Sequence, residues 1–390
     1  MSIFDKVCFL EIPLYDNIDY PYIVKYRPKI STYVESLRNT RSFDKYFREG
    51  RLEIREITQL KQVENIDKFI REEYTKVHSE QLYLSLRSQP HFKPLMHMFL
   101  TLADEIIRAV REGYIPVTPC IPPDLWAGKT YVRKCSIFSF CTYLAKRLGG
   151  KTAIVSLDVH YGYGIQDILE YEEEGEGAEG LSEEYFEEPI VQEEEQEEIE
   201  EGEEGAEEAA ESRTKIFYLA VCSMGEVDSK IFRKAKKKKW LFLPVTVPPG
   251  VRDDVYLKVV DYAFRIVRVY EPENIIFLLG LDMYREDVIG EFVLSCDAFY
   301  DIGQLIMFLT QAMYLKSVII LIECVSTKES IQKPFPNLIA GLLGAEKPYY
   351  DPIRKESTQA VKDLTNESLE KLRRLLIRHW KVKVPARIRG

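Results

Sequence analysis

Asp158 and His160 stand two residues apart just beyond the apolar run Thr152–Leu157, and glycines follow at 162 and 164. Side chains two apart in a strand point to one side, so this run can present a carboxylate and an imidazole together at a strand's end. Those two donor types suit Zn²⁺ or a similar divalent ion. A second run, Asn274–Leu279, reads as a buried strand and places Asp282 just past its end. Asp158, His160 and Asp282 then make a set of two carboxylates and one imidazole. Such a set leaves a position for water and can activate it or polarise a carbonyl.

The elements that must hold these residues can be read from hydrophobic pattern. Apolar runs at 7–12, 115–118, 152–157, 216–222, 241–247, 274–279 and 318–323 read as strands. Helical periodicity occupies 28–37, 66–77, 96–112, 138–148, 254–270, 303–314, 337–343 and 368–380. Strands alternating with helices imply one three-layer α/β domain spanning 1–390, its mainly parallel sheet covered on both faces. In such sheets, sites form beyond the carboxyl ends of the strands, where Asp158, His160 and Asp282 lie.

The chain is 46% hydrophobic and 12% aromatic, which supports a large core. Its net charge of −10 hides an asymmetry: residues 170–212 hold 22 Glu and no Asp, Lys or Arg, and without those glutamates the balance is +12. The low-complexity segment 171–212 cannot bury enough apolar surface to offset its ordering entropy and is expected to be a disordered insertion. It can mask a basic surface, with Arg233, Lys234, Lys236, Lys237, Lys238 and Lys239 the clearest candidate. The same residues are a candidate nucleic-acid contact. Seven cysteines with no Cys-Xaa-Xaa-Cys pair argue against a disulfide framework or a cysteine zinc site. No apolar run is long enough to span a bilayer, and the N-terminus does not read as a signal peptide, so a cytoplasmic protein without a membrane role is expected.

At the level of motifs the chain resembles the zinc-dependent histone deacetylase and acetoin-utilisation family, of the arginase–deacetylase fold. The resemblance runs over nearly the whole length apart from the insertion. Glu73–His78 is similar to the family's early Val-His segment, and Ile121–Ala127 to its Arg-Pro-Pro-Gly-His-His-Ala motif. Ala153–Leu169 resembles the strand with Asp-Val-His-His-Gly-Asn-Gly, and Pro244–Gly250 the loop before the next long helix. Leu279–Gly290 is similar to Gly-Phe-Asp…Asp-Pro-Leu-Gly, and Ile320–Glu323 to the strand leading into Glu-Gly-Gly-Tyr. The resemblance implies one zinc per chain, held by Asp158, His160 and Asp282.

The rest of the family's catalytic set is replaced. Its two adjacent histidines, general base and acid, fall on Leu125 and Trp126. The carboxylate that orients one of them falls on Ser156, the second orienting position on Tyr163, and the histidine after the zinc ligand on Tyr161. The oxyanion-stabilising tyrosine falls on Ser326, and the glycines before it on Cys324 and Val325. Losing a general acid–base group costs about 10²–10⁴ in rate. Losing an oxyanion donor costs about 10²–10³. Such effects do not simply add, and the joint deficit is on the order of 10⁴–10⁷, roughly 5–10 kcal/mol.

The leading expectation is a metal-retaining pseudo-deacetylase that serves as a binding or scaffold protein, with a protein partner. Trp126 is expected to fill the acyl-lysine channel. The alternative is a metal-dependent hydrolase of acyl-lysine or acylated amines with altered chemistry. It would use Asp124, which replaces the glycine before the lost histidine pair, or hydroxide on the metal. Asp124 can also serve as a fourth ligand, and Tyr161, Tyr163 or Ser326 can supply a hydroxyl donor.

Overall fold

The computed structural model describes residues 4–17, 28–133, 136–174 and 215–385. Eight strands form one sheet: β1 Lys6–Glu11, β2 Leu52–Glu56, β3 Tyr114–Pro119, β4 Lys151–Leu157, β5 Lys215–Ser223, β6 Phe242–Val247, β7 Asn274–Gly280 and β8 Ser317–Glu323. Their order across the sheet is β2-β1-β3-β8-β7-β4-β5-β6, and every neighbouring pair is parallel. β6, β7 and β8 are buried along their whole length. That is why they read as continuous apolar runs rather than alternating ones.

The helices are α1 Ile30–Arg38, α2 Asp44–Arg48, α3 Ile66–Tyr74, α4 Glu80–Leu86, α5 Phe92–Arg111, α6 Phe140–Leu148 and α7 Tyr163–Glu174. They continue as α8 Ser229–Lys237, α9 Asp253–Tyr270, α10 Cys296–Gln311, α11 Glu329–Gln332, α12 Pro334–Leu343 and α13 Gln359–Leu375. α5 and α6 pack on each other and on β1, β3, β4, β7 and β8. A second group, α9, α10 and α12, covers β5, β6 and β1. The result is an α/β protein with an all-parallel sheet flanked by helices. Among the described residues, no helix is long and apolar enough to cross a membrane.

Several boundaries differ from the sequence pattern. β2 was not expected, because Leu52-Glu-Ile-Arg-Glu56 is an edge strand whose outer residues stay partly exposed and charged. α10 starts at Cys296 rather than 303, because Ser295 is its N-cap residue and Gly303 lies inside it. α13 starts at Gln359 rather than 368, where the Thr358 side chain accepts from Val361 N–H. α7 runs to Glu174, four residues into the segment expected to be disordered from 171. Ion pairs to α8 account for the extension: Glu170 meets Lys234 at 2.9 Å, Glu173 meets Lys238 at 2.7 Å, and Glu174 also reaches Lys238. The rest of the acidic segment lies outside the described residues.

Candidate metal centre

Sheet order sets the site. β8, β7 and β4 are adjacent, with Gly280 registered against Glu323 and Leu279 against Leu157. The residues just past these three ends therefore converge. Asp158 follows β4, Asp282 sits in the single 3₁₀ turn Leu281–Met283 after β7, and Cys324 follows β8. The Asp282 N–H donates to the Cys324 carbonyl at 2.9 Å, which ties the last two together.

Asp158 and Asp282 are fully buried, and the His160 side chain is 13% exposed. His160 Nδ1 lies 3.1 Å from Asp158 Oδ1 and 3.1 Å from Asp282 Oδ2. Asp158 Oδ1 also accepts the His160 backbone N–H at 2.8 Å, which fixes the imidazole over the pair. Among the described residues, Asp158 Oδ2 and both Asp282 oxygens receive no hydrogen bond; the approach of His160 to Asp282 is close but off the hydrogen-bond direction. Gly280 floors the site: a Cβ there would overlap Asp158 Oδ2 and Asp282 Oδ1.

The electrostatics follow from this packing. Burial, and then the charge of Asp158, hold the Asp282 carboxyl well above the usual carboxylate range. Burial works against the His160 imidazolium, but its hydrogen bond to Asp158 and the close negative charges of Asp158 and Asp282 prevail and raise it to about 10. Buried carboxylate oxygens without donors are costly unless a cation meets them. Donor separations of 3.1 Å are close to the roughly 3.3 Å between ligands of a tetrahedral zinc with bonds near 2.0–2.1 Å. The donor set therefore fits a divalent metal. Ligand atoms of Asp158, His160, Asp282 and Cys324 all lie within 4.8 Å of one another.

Asp124 goes elsewhere. It is fully buried and joins Cys120 and Glu323, again with ligand atoms within 4.8 Å. Its Oδ2 accepts Cys141 N–H at 2.6 Å and its backbone N–H donates to Glu323 Oε2 at 3.3 Å, while Asp124 Oδ1 and Glu323 Oε1 have no donor. Burial raises both carboxyls, and in Glu323 the charge of Asp124 adds to it.

The residues in place of the family's proton-transfer groups are packed or engaged. Leu125 is fully buried, and Trp126 stands edge-on to His160 with ring centroids 5.4 Å apart. The Tyr161 hydroxyl donates to Gln166 Oε1 at 2.8 Å, between the rings of Tyr163 and Tyr218. The Tyr163 hydroxyl donates to the Glu226 carbonyl and the Ser326 hydroxyl to Asp287. Ser156 Oγ is buried without a hydrogen-bond partner among the described residues. Two residues had drawn no ligand role from the sequence. Cys324 stands in the sequence where the resemblance has a glycine, and Glu323 at the end of an apolar strand. The signal available was position: both stand at the end of a buried strand, as Asp158 and Asp282 do.

Residues 202–324 match the family profile described as the histone deacetylase domain. Over that span the chain is similar to the histone deacetylase family. The matched span includes Asp282 and Cys324 and begins after Asp158 and His160. Among solved structures, the fold is similar to the crystal structure of the HDA15 HD domain, with a TM-score of 0.61 and 14% identity, over 97% of this chain and 98% of that one. No curated protein sequence matches the chain.

Proposed function

We propose that this histone deacetylase-family protein is a metal-binding pseudo-deacetylase, with zinc held by Asp158, His160 and Asp282 and a role in binding rather than turnover. The observation that carries the reading is Trp126 against His160. An indole, which transfers no proton at neutral pH, occupies ground that the resemblance gives to a catalytic histidine. The neighbouring hydroxyls support the reading, because Tyr161, Tyr163 and Ser326 each donate to a protein acceptor. When bound, the metal supplies folding free energy and a fixed charge. Asp158 and Asp282 hold it, His160 completes the face, and Trp126 and Leu125 exclude water and an acyl chain.

The partner would be a protein, with nucleic acid as the other outcome through the basic run on α8. The ion pairs of Lys234 and Lys238 with α7 support partial neutralisation of that run by the acidic segment. Binding of RNA or DNA that falls with salt and strengthens on deleting 175–212 would favour nucleic acid.

One observation favours the second reading, an altered amide hydrolase. Asp124 and Glu323 are buried carboxyls raised toward the range where a carboxyl can move protons. Metal analysis followed by assays on acetyl-lysine peptides and small acylated amines separates the two. The pseudoenzyme reading expects stoichiometric metal without turnover. Metal-dependent turnover lost in both Asp158→Ala and Asp124→Ala would establish the hydrolase instead.

A further inference from the structure

Three donors leave a zinc ion with an open position, and the fold brings one more soft donor to that spot. Cys324 is the first residue after β8, and its sulfur lies within 4.8 Å of the ligand atoms of Asp158, His160 and Asp282. Its placement is fixed by backbone. β8 pairs with β7 up to Gly280 and Glu323, and the Asp282 N–H then donates to the Cys324 carbonyl at 2.9 Å. Asp282 and Cys324 therefore leave adjacent strand ends in a fixed relation. The neighbouring Glu323 turns to the other cluster, with Cys120 and Asp124, so the two residues at this strand end serve different groups.

The independent sign of a cation is the state of the buried oxygens. Among the described residues, Asp158 Oδ2, Asp282 Oδ1 and Asp282 Oδ2 have no hydrogen-bond donor, and both residues are fully buried. Cys324 packs against the core, and packing alone does not satisfy these oxygens. Its sulfur is a poor acceptor, and as a thiolate it would be repelled by two carboxylates. With a cation between them, the same three charges attract.

We propose that Cys324 is the fourth protein ligand of the metal centre, closing an Asp₂-His-Cys set around one zinc ion. The proposal rests on the reading that Asp158, His160 and Asp282 hold a metal. Four protein ligands characterise structural zinc, whereas catalytic sites keep a position open. The thiolate therefore gives the centre a structural role and accounts for the loss of proton-transfer groups around it. Sulfur in the set also favours zinc or cobalt over magnesium or calcium, which take oxygen ligands. Binding breaks the Cys324 S–H bond, forms a metal–sulfur bond and releases the proton to solvent.

The test is spectroscopic and needs no turnover. Full-length protein is stripped of metal and loaded with Co²⁺. The wild type is expected to bind one cobalt and to show thiolate-to-cobalt charge-transfer absorption in the near ultraviolet. Cys324→Ser is expected to lose that band, to keep its circular dichroism, and to bind cobalt about tenfold or more weakly. X-ray absorption of the zinc-loaded wild type, which involves no variant, is expected to show one sulfur at about 2.3 Å. One bound metal with a purely nitrogen and oxygen shell overturns the ligand role of Cys324 and leaves the three-ligand reading standing. A band that persists in Cys324→Ser overturns it in favour of another cysteine. A wild type that binds no metal overturns both.

Discussion

His78 is a buried imidazole whose hydrogen bonds force it to be neutral. Gly128 O can only accept, and the Ser139 N–H can only donate, so the 2.7 Å contact at Nδ1 carries the proton and Nε2 accepts at 3.0 Å. One ring thus ties Gly128, two residues after Trp126, to Ser139 at the start of α6. Burial lowers its pKa to about 3 from an ordinary 6.5. The unfolded chain then binds more protons than the folded one between these values, so this contribution is complete above pH 6.5 and is lost as pH falls toward 3. His78→Gln keeps a donor and an acceptor but does not titrate. Its stability, measured by urea unfolding from pH 7 to 4, should fall less steeply on acidification than the wild type's, by about 1.4 kcal/mol per pH unit. Parallel curves would mean that His78 does not set the acid limb. Gly280 makes the other prediction at this scale. Gly280→Ala puts a methyl group onto Asp158 and Asp282. The variant should lose stoichiometric metal, with a stability cost of about 1–3 kcal/mol from overpacking. Elemental analysis of the folded variant checks it.

Elements depend on close approach as much as on pattern. α10 and α12 pack tightly at Gly303 and Gly341: a Cβ on Gly303 would stand 2.5 Å from Leu338 O, and one on Gly341 would overlap Tyr300 O. Gly303→Ala should therefore destabilise, because overpacking costs about 1–3 kcal/mol against the roughly 1 kcal/mol that alanine gains in a helix. Gly225→Ala, with nothing within 4 Å of its Cβ, should leave the thermal midpoint nearly unchanged and serves as the control. Seven of the eight strands could be read from their apolar runs, because a sheet covered on both faces needs unbroken hydrophobicity. β2 could not, since an edge strand keeps charged residues. The site divides in the same way. Asp158, His160 and Asp282 were legible because a carboxylate or imidazole after an apolar run is conspicuous. Cys324 and the Asp124–Glu323 pair were not, because their meaning depends on which strands are neighbours, and order in the sheet is not written in local pattern.

At the scale of the whole molecule, the centre should couple metal to folding with a reversal of rank between two proteins. Without a cation, Asp282 is a buried carboxyl with no donor to either oxygen, raised by burial and by Asp158. Asp282→Asn replaces that titrating carboxyl with a neutral amide and also removes a ligand. In chelator, the variant should unfold at or above the wild-type temperature, since burying an amide costs less than burying a carboxyl with no donor to either oxygen. With free zinc at about 1,000 times its Kd, the wild type gains roughly 4 kcal/mol, and the variant gains much less. The order of thermal midpoints should then invert. pH sharpens the test. The metal-free fold holds protons on Asp282 and on His160, whose pKa is raised to about 10. It therefore binds more protons than the unfolded chain and loses stability as pH rises through the carboxylate range and from 6.5 toward 10. A metal displaces those protons, so zinc-induced stabilisation should grow with pH from 6 to 8 in the wild type and stay nearly flat in Asp282→Asn. Calorimetry of the two proteins with chelator and with zinc, at both pH values, supplies every term. Midpoints that keep one order throughout would separate the centre from the stability of the fold.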